Sequence, residues 1–209
     1  MRALKAIALL LAYPSPPLLA AMPELRAEIE AERSLPRRDQ EALAALSLEL
    51  ERGDLLELQA QYSALFDHGR ASSFHLYEHL HGESRERGLA MVALKALYAS
   101  QGVEPAEGEL PDALPVVLEF LSMQREDEAR SHIRDAAEAL QSLGAALAAR
   151  GSNYAAVPRV LLAWAGAPGF VATVIRPEVP IEAEWSEPPV SFSPVRSAVN
   201  QVIRWAKKR

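Results

Sequence analysis

The chain contains no cysteine, which excludes disulfides, iron–sulfur ligation and thiol catalysis. It also lacks a surplus of positive charge: 22 Lys and Arg stand against 28 Asp and Glu, for a formal net charge of −6. Binding nucleic acid requires a basic face to neutralise phosphates, and this surface would on average repel them, so a basic partner is the better match. There is no G-x-S-x-G and no glycine-rich phosphate loop, so the nucleophile-elbow and nucleotide-cradle templates have nothing to stand on. The apolar run near the start, Ala6 to Ala12 after Arg2 and Lys5, imitates a secretory signal but is too short to span a bilayer. Pro14, Pro16 and Pro17 follow where a cleavage region is small and unconstrained. We read the run as a first core helix stopped by prolines, with a cytoplasmic location as the consequence.

Proline is also absent from two long windows, 37–104 and 116–157. Inside them apolar residues recur at three and four: Leu43, Leu46 and Leu50; Leu55, Leu58, Tyr62 and Leu65; Leu89, Val92 and Ala96; Ile133, Leu140, Leu143 and Leu147. That spacing predicts helices with one face turned to a core. Gly53 before Asp54, Gly69, Gly82 before Glu83 and Ser84, Gly102, and Gly151 before Ser152 read as helix stops and starts. Period-two alternation is missing apart from the doubtful FVATVI at 170–175. The expected fold is an all-α, single-domain helical bundle of roughly seven to nine helices. It should occupy residues 1–166, with Pro158 either kinking the last helix or starting it late. Residues 167–209 form a separate proline-rich C-terminal tail: six prolines and several glutamates up to residue 194, then a short basic amphipathic stretch.

One segment concentrates polar chemistry. In HLYEHLHGESRERG, residues 75–88, His75, Glu78 and His79 spell HxxEH, the spacing by which inverzincins put two histidines one helical turn apart on zinc. A catalytic zinc needs a third protein ligand, and five residues are easily matched by chance. We therefore expect no metal and no catalytic residue here, but a histidine-bearing polar or groove-lining face with Phe74, Leu76, Tyr77 and Leu80 in packing.

Read outward, this segment runs from Tyr62 to Tyr98 and is followed by LPDALPVVLEFLS at 110–122. Tyr62, Leu65 and Phe66 form an aromatic-x-x-Leu-Phe pattern; DHGR covers Asp67 to Arg70, EHLHGESRERG covers Glu78 to Gly88, and a proline–aspartate turn stands at Pro111 and Asp112. Together these resemble the NarJ-type nitrate reductase assembly chaperones, also called nitrate reductase delta subunits, a branch of the TorD-like redox-enzyme maturation chaperones. The resemblance covers about residues 4–164 and depends on several motifs in family order. The chain departs from the pattern at Ala113, where members commonly carry histidine. The stretch 35–51 is generic, and the tail after Gly166 transfers nothing.

The resemblance implies a cytoplasmic, non-enzymatic helper. It would bind the amino-terminal segment of the nitrate reductase catalytic subunit, keep that subunit competent for molybdenum-cofactor insertion and delay its membrane attachment until maturation. It would hold no permanent cofactor itself; from the charge balance and the short apolar run we expect no nucleic-acid partner and no stable membrane insertion, and we favour a monomer. The client-binding residues it suggests are Tyr62, Leu65, Phe66, Asp67, His68, Arg70, His75, Glu78, His79, Glu83, Arg87, Asp112 and Glu119. Each has a plainer reading. Tyr62, Leu65 and Phe66 share a helix face and could be core. Asp67, His68 and Arg70 could close the turn at Gly69, and Glu83 and Arg87 could belong to a surface ion-pair network. Asp112 reads first as a cap for the helix PVVLEFLS, with Glu119 outward or in the groove. A helical bundle offers such a client a hydrophobic groove for an amphipathic helix.

Overall fold

The computed structural model describes residues 1–67, 70–82 and 84–171, with Arg70 by its backbone only. Ten α-helices follow one another among the described residues: α1 Arg2–Leu10, α2 Pro16–Glu30, α3 Arg37–Arg52, α4 Leu55–Phe66, α5 Leu76–His81, α6 Arg85–Ser100, α7 Leu114–Ser122, α8 Glu126–Asp135, α9 Ala137–Ala149 and α10 Ala156–Ala165. There is no strand among them, only an isolated antiparallel bridge between His75 and Ala113. The all-α bundle expected from the sequence is present. His68, Gly69 and Glu83, the Arg70 side chain, and residues 172–209 with the basic stretch lie outside the described residues.

Local chemistry sets most boundaries. Ser15 caps α2 by accepting from the Leu18 amide, with Pro16 and Pro17 in the first turn, where their missing N–H groups cost nothing. Asp54 caps α4 by accepting from the amides of Leu56 and Glu57. Gly82, Gly102, Gly151 and Gly166 all take positive φ at helix ends, the conformation in which glycine has no Cβ penalty. Pro158 starts its helix late: the chain enters through a 3₁₀ turn at Asn153–Ala155, and the proline falls in the first turn of α10, where no intrahelical N–H is required. The helix count exceeds the expectation because the predicted element through Ile133 and Leu147 is two helices. Ala136, at φ −89° and ψ 8°, breaks it, yet Ile133, Leu140, Leu143 and Leu147 still reach one core.

Burial is uneven along the chain. α1 packs against α2 and α7 and buries Leu4, Ile7 and Leu10 almost completely, as a first core helix should. Leu43 and Leu46 of α3, Leu118 of α7, Leu140 and Leu143 of α9, and Val157 and Leu161 of α10 complete the centre. By contrast α4, α5 and α6 together supply only Leu58, Leu76 and Tyr98 as fully buried residues. The predicted core face of α6 is also reversed: Leu89 and Val92 are 65% and 67% exposed, and the inward side carries Leu94, Leu97 and Tyr98. That helix is apolar around much of its circumference, so periodicity identified it as a helix without choosing its buried face.

Candidate functional site

Short polar contacts hold α5 in place. The Ser73 hydroxyl donates to Glu78 Oε2 at 2.7 Å and accepts from the His75 amide at 3.2 Å. With its one hydrogen spent on Glu78, it meets His75 Nδ1, 3.1 Å away, as an acceptor, so Nδ1 carries a proton. His79 Nε2 lies 2.8 Å from the Ser73 carbonyl, which can only accept, so that nitrogen is protonated too. HxxEH here forms a cluster around Ser73, in which His75, Glu78 and His79 are each hydrogen-bonded to that residue. Among the described residues no group of three or more histidine or carboxylate side chains is arranged to hold an ion. His81 stands apart, its ring 5.9 Å from Tyr77 and its Nδ1 3.9 Å from Glu86.

The proline–aspartate turn closes on the same helix. The Asp112 carbonyl accepts from the Leu76 amide at 3.0 Å, Asp112 Oδ2 accepts from the Tyr77 amide at 3.2 Å, and the Phe74 carbonyl accepts from Leu114 at 2.9 Å. This corrects the expected capping role: Asp112 caps α5, not α7. The first residue before α7 is Ala113, and Pro115 removes one of the amides that a capping side chain there would bind, so the carboxylate serves the neighbouring helix start. Arg87 of α6 approaches from the other side, Nη2 3.9 Å from Asp112 Oδ2. Asp112 is fully buried, and its Oδ1, like Arg87 Nε, has no hydrogen-bond partner among the described residues.

This knot forms one end of an apolar cleft of about 120 Å³. Leu76, Tyr77 and Leu80 of α5 and Leu94, Leu97 and Tyr98 of α6 face Val117, Phe120 and Leu121 of α7 across it, with His132 and Asp135 of α8 at the margin. Tyr98 donates to the Pro111 carbonyl at 2.8 Å, which fixes the cleft wall to the turn. Burial raises the pKa of the Tyr77 phenol, and the Asp112 charge adds to the rise. Tyr98 is raised for the same two reasons, with Tyr77 contributing as well. Both phenols are therefore neutral hydrogen-bonding groups at neutral pH.

The candidate residues thus divide into groups. Of them only Asp112 lines the cleft, with Arg87 beside it, while His75, Glu78 and His79 gather around Ser73 and are not among its lining residues. Tyr62 and Phe66 do not reach it. They join Tyr13, Phe74 and Tyr154 in an aromatic cluster, with Phe66 stacked on Phe74 at 4.0 Å and Tyr62 donating to the Leu11 carbonyl at 2.8 Å. The Leu65 carbonyl accepts from Ser72 and Arg150, and its side chain borders a different hollow, between α4 and residues 150–154. Asp67 is the exposed cap residue of α4. Glu119 points outward from α7 toward Lys5. Leu94, Leu97, His132 and Asp135 were not singled out from the sequence. For the two leucines the signal existed, since Leu94, Leu97 and Tyr98 recur at three and four, but a second apolar stripe on the same helix competed with it.

Comparison with known proteins decides the family. The model of the nitrate reductase delta subunit family matches residues 32–157. The chain belongs to that family. This delta-subunit protein is 40% identical over 192 residues to the nitrate reductase molybdenum cofactor assembly chaperone NarJ of Escherichia coli (strain K12), covering 88% of this chain and 81% of that one. It is 32% identical to a Bacillus subtilis (strain 168) protein described by the same role, over 76% of this chain and 85% of the relative. Among solved structures, a protein from Archaeoglobus fulgidus described as a redox enzyme maturation protein superposes with a TM-score of 0.57 at 25% identity, over 77% of this chain and 91% of that chain. The resemblance read from Tyr62 to Ser122 is thereby borne out, as is the helical chaperone fold. The Escherichia coli and Bacillus subtilis relatives are named as assembly chaperones, not as catalysts.

Proposed function

We propose that this delta-subunit protein is an assembly chaperone for a respiratory nitrate reductase. It binds the amino-terminal segment of the catalytic subunit, keeps that subunit open to molybdenum-cofactor insertion, and delays membrane attachment until the cofactor is in place. The chaperone makes and breaks no covalent bond, holds no cofactor of its own, works in the cytoplasm as a monomer and leaves the finished enzyme. The observation that carries this reading is the cleft between α5, α6 and α7: leucine and aromatic walls, open to solvent, built by the segment that resembles the family and contributes least to the core.

The energetics are adequate. An amphipathic client helix that lays three or four apolar side chains into such a cleft gains roughly 1.5–3 kcal/mol for each. Ordering the peptide costs on the order of 2–5 kcal/mol, which leaves micromolar or tighter binding within reach. The His75–Ser73–Glu78 cluster and the Asp112 cap, together with Leu76 buried in the core, hold α5, so the wall is set before the client arrives. Among the described residues no helix is long and apolar enough to cross a membrane. The test is a pull-down from cells making nitrate reductase. Recovery of the catalytic subunit, lost when its amino-terminal segment is deleted, is the expected result. Recovery independent of that segment, or of a different molybdoenzyme alone, would overturn the reading.

A further inference from the structure

The cleft does not end at its far wall. The Tyr98 and Phe120 rings, 4.5 Å apart between centroids, line it on one side, and on the other they line a second groove of about 430 Å³ between α7 and the loop 101–113. The two grooves differ in chemistry. The second has an apolar floor of Val103, Val116 and Phe120, and Met123, 57% exposed, stands at its edge. Its rim carries three carboxylates, Glu104 and Glu109 from the loop and Glu119 from α7, all on exposed residues. One cation is already there: Lys5 of α1 is among the residues that line the groove, with Nζ 3.3 Å from Glu119 Oε1. The molecule's own lysine, at the groove with its ammonium beside a carboxylate, is an internal example of the charge this rim accepts.

We propose that the second groove extends the client site and reads positive charge. The client's apolar anchors fill the cleft, and the Lys or Arg side chains beyond them cross the Tyr98–Phe120 divide to lie over Glu104 and Glu109, while Lys5 competes for Glu119. The inference rests on the chaperone reading above and adds a charge requirement to it. An acidic segment is rejected here by like charge, and a purely apolar one forgoes the rim, so the groove supplies selectivity more than affinity. Because the carboxylates are exposed, the contribution is modest and screened by salt.

The test uses the full-length protein and two synthetic peptides, the client's amino-terminal segment and the same segment with each Lys and Arg replaced by Gln. Glu104→Gln/Glu109→Gln weakens the native peptide roughly three- to tenfold at about 0.01 M salt and loses most of that difference at about 0.15 M. The variant leaves the neutral peptide unaffected. Lys5→Ala, which frees Glu119, tightens the native peptide roughly two- to threefold, a gain that a purely structural lysine would not give. Loss of both peptides alike in the double variant, or weaker native-peptide binding after Lys5→Ala, overturns the proposal while leaving the cleft as the client site. Failure of the unaltered protein to bind either peptide overturns the chaperone reading and this inference together.

Discussion

Asp112 and Arg87 are both polar and both largely removed from water, and the 3.9 Å between them is too long for a tight pair. Asp112 repays its burial mainly by capping α5, and Arg87 keeps it company as a nearby positive charge. Asp112→Ala should therefore cost about 2–3 kcal/mol, since it removes a cap and leaves a guanidinium without its counter-charge. Arg87→Met should cost less. In a double-mutant cycle read by denaturant unfolding, the pair of changes should cost clearly less than the two singles added together; strict additivity would show that the two groups do not sense each other. The tyrosines give a second residue-scale expectation. Burial raises the pKa of Tyr62, Tyr98 and Tyr154 well above the ordinary 10.0, with Asp67, Tyr77 or Tyr62 adding charge effects in turn. Above about pH 10 the unfolded chain releases those protons while the folded one keeps them. The unfolded state then binds fewer protons, and stability falls as pH rises. Thermal unfolding followed from pH 8 upward should decline steeply past about pH 10, and Tyr154→Phe should flatten the decline; an unchanged slope would contradict this origin.

At the scale of elements, the helices that build the core were the most legible. Leu43, Leu46 and Leu50 in α3, and Leu140, Leu143 and Leu147 in α9, each lie on a single apolar stripe, and all are buried. α6 is the instructive failure. It carries Leu89 and Val92 on one side and Leu94 and Leu97 on the other, and only the positions of α5 and α7, set by distant parts of the chain, decide which side turns inward. The Asp112 cap was hidden for the same reason: sequence proximity pointed to α7, whereas the partner amide belongs to a residue 35 positions away. A solvent-facing Leu89 should tolerate charge. Leu89→Lys is expected to change unfolding free energy by less than about 0.5 kcal/mol, whereas Tyr98→Ala, which removes a buried ring and its bond to Pro111, should cost about 3–5 kcal/mol. Comparable losses for the two would place the buried face of α6 wrongly.

For the molecule as a whole, the motif-bearing stretch from Tyr62 to Tyr98 serves two purposes. Its first part, with Phe66 stacked on Phe74, fastens the segment to the bundle, and its second part, α5 and α6, raises one wall of an apolar cleft. The family was legible because several motifs appear in order. The division of work among them was not, since packing residues and cleft residues are the same chemical types at the same spacings. Tyr62 and Leu97 look alike in a helical pattern, and only the fold separates an anchored aromatic from a wall residue. Client recognition depends, on this reading, on the cleft taking the amino-terminal segment of the catalytic subunit. The most direct measurement is calorimetric titration of that segment, as a peptide, into the unaltered protein, into Leu97→Glu and into Leu89→Glu, with thermal unfolding as the control for folding. A carboxylate at position 97 should weaken binding by more than about tenfold, as expected for a charge placed among buried apolar anchors, and one at position 89 should leave it unchanged. Equal affinity for all three proteins, or loss only at position 89, would contradict that reading.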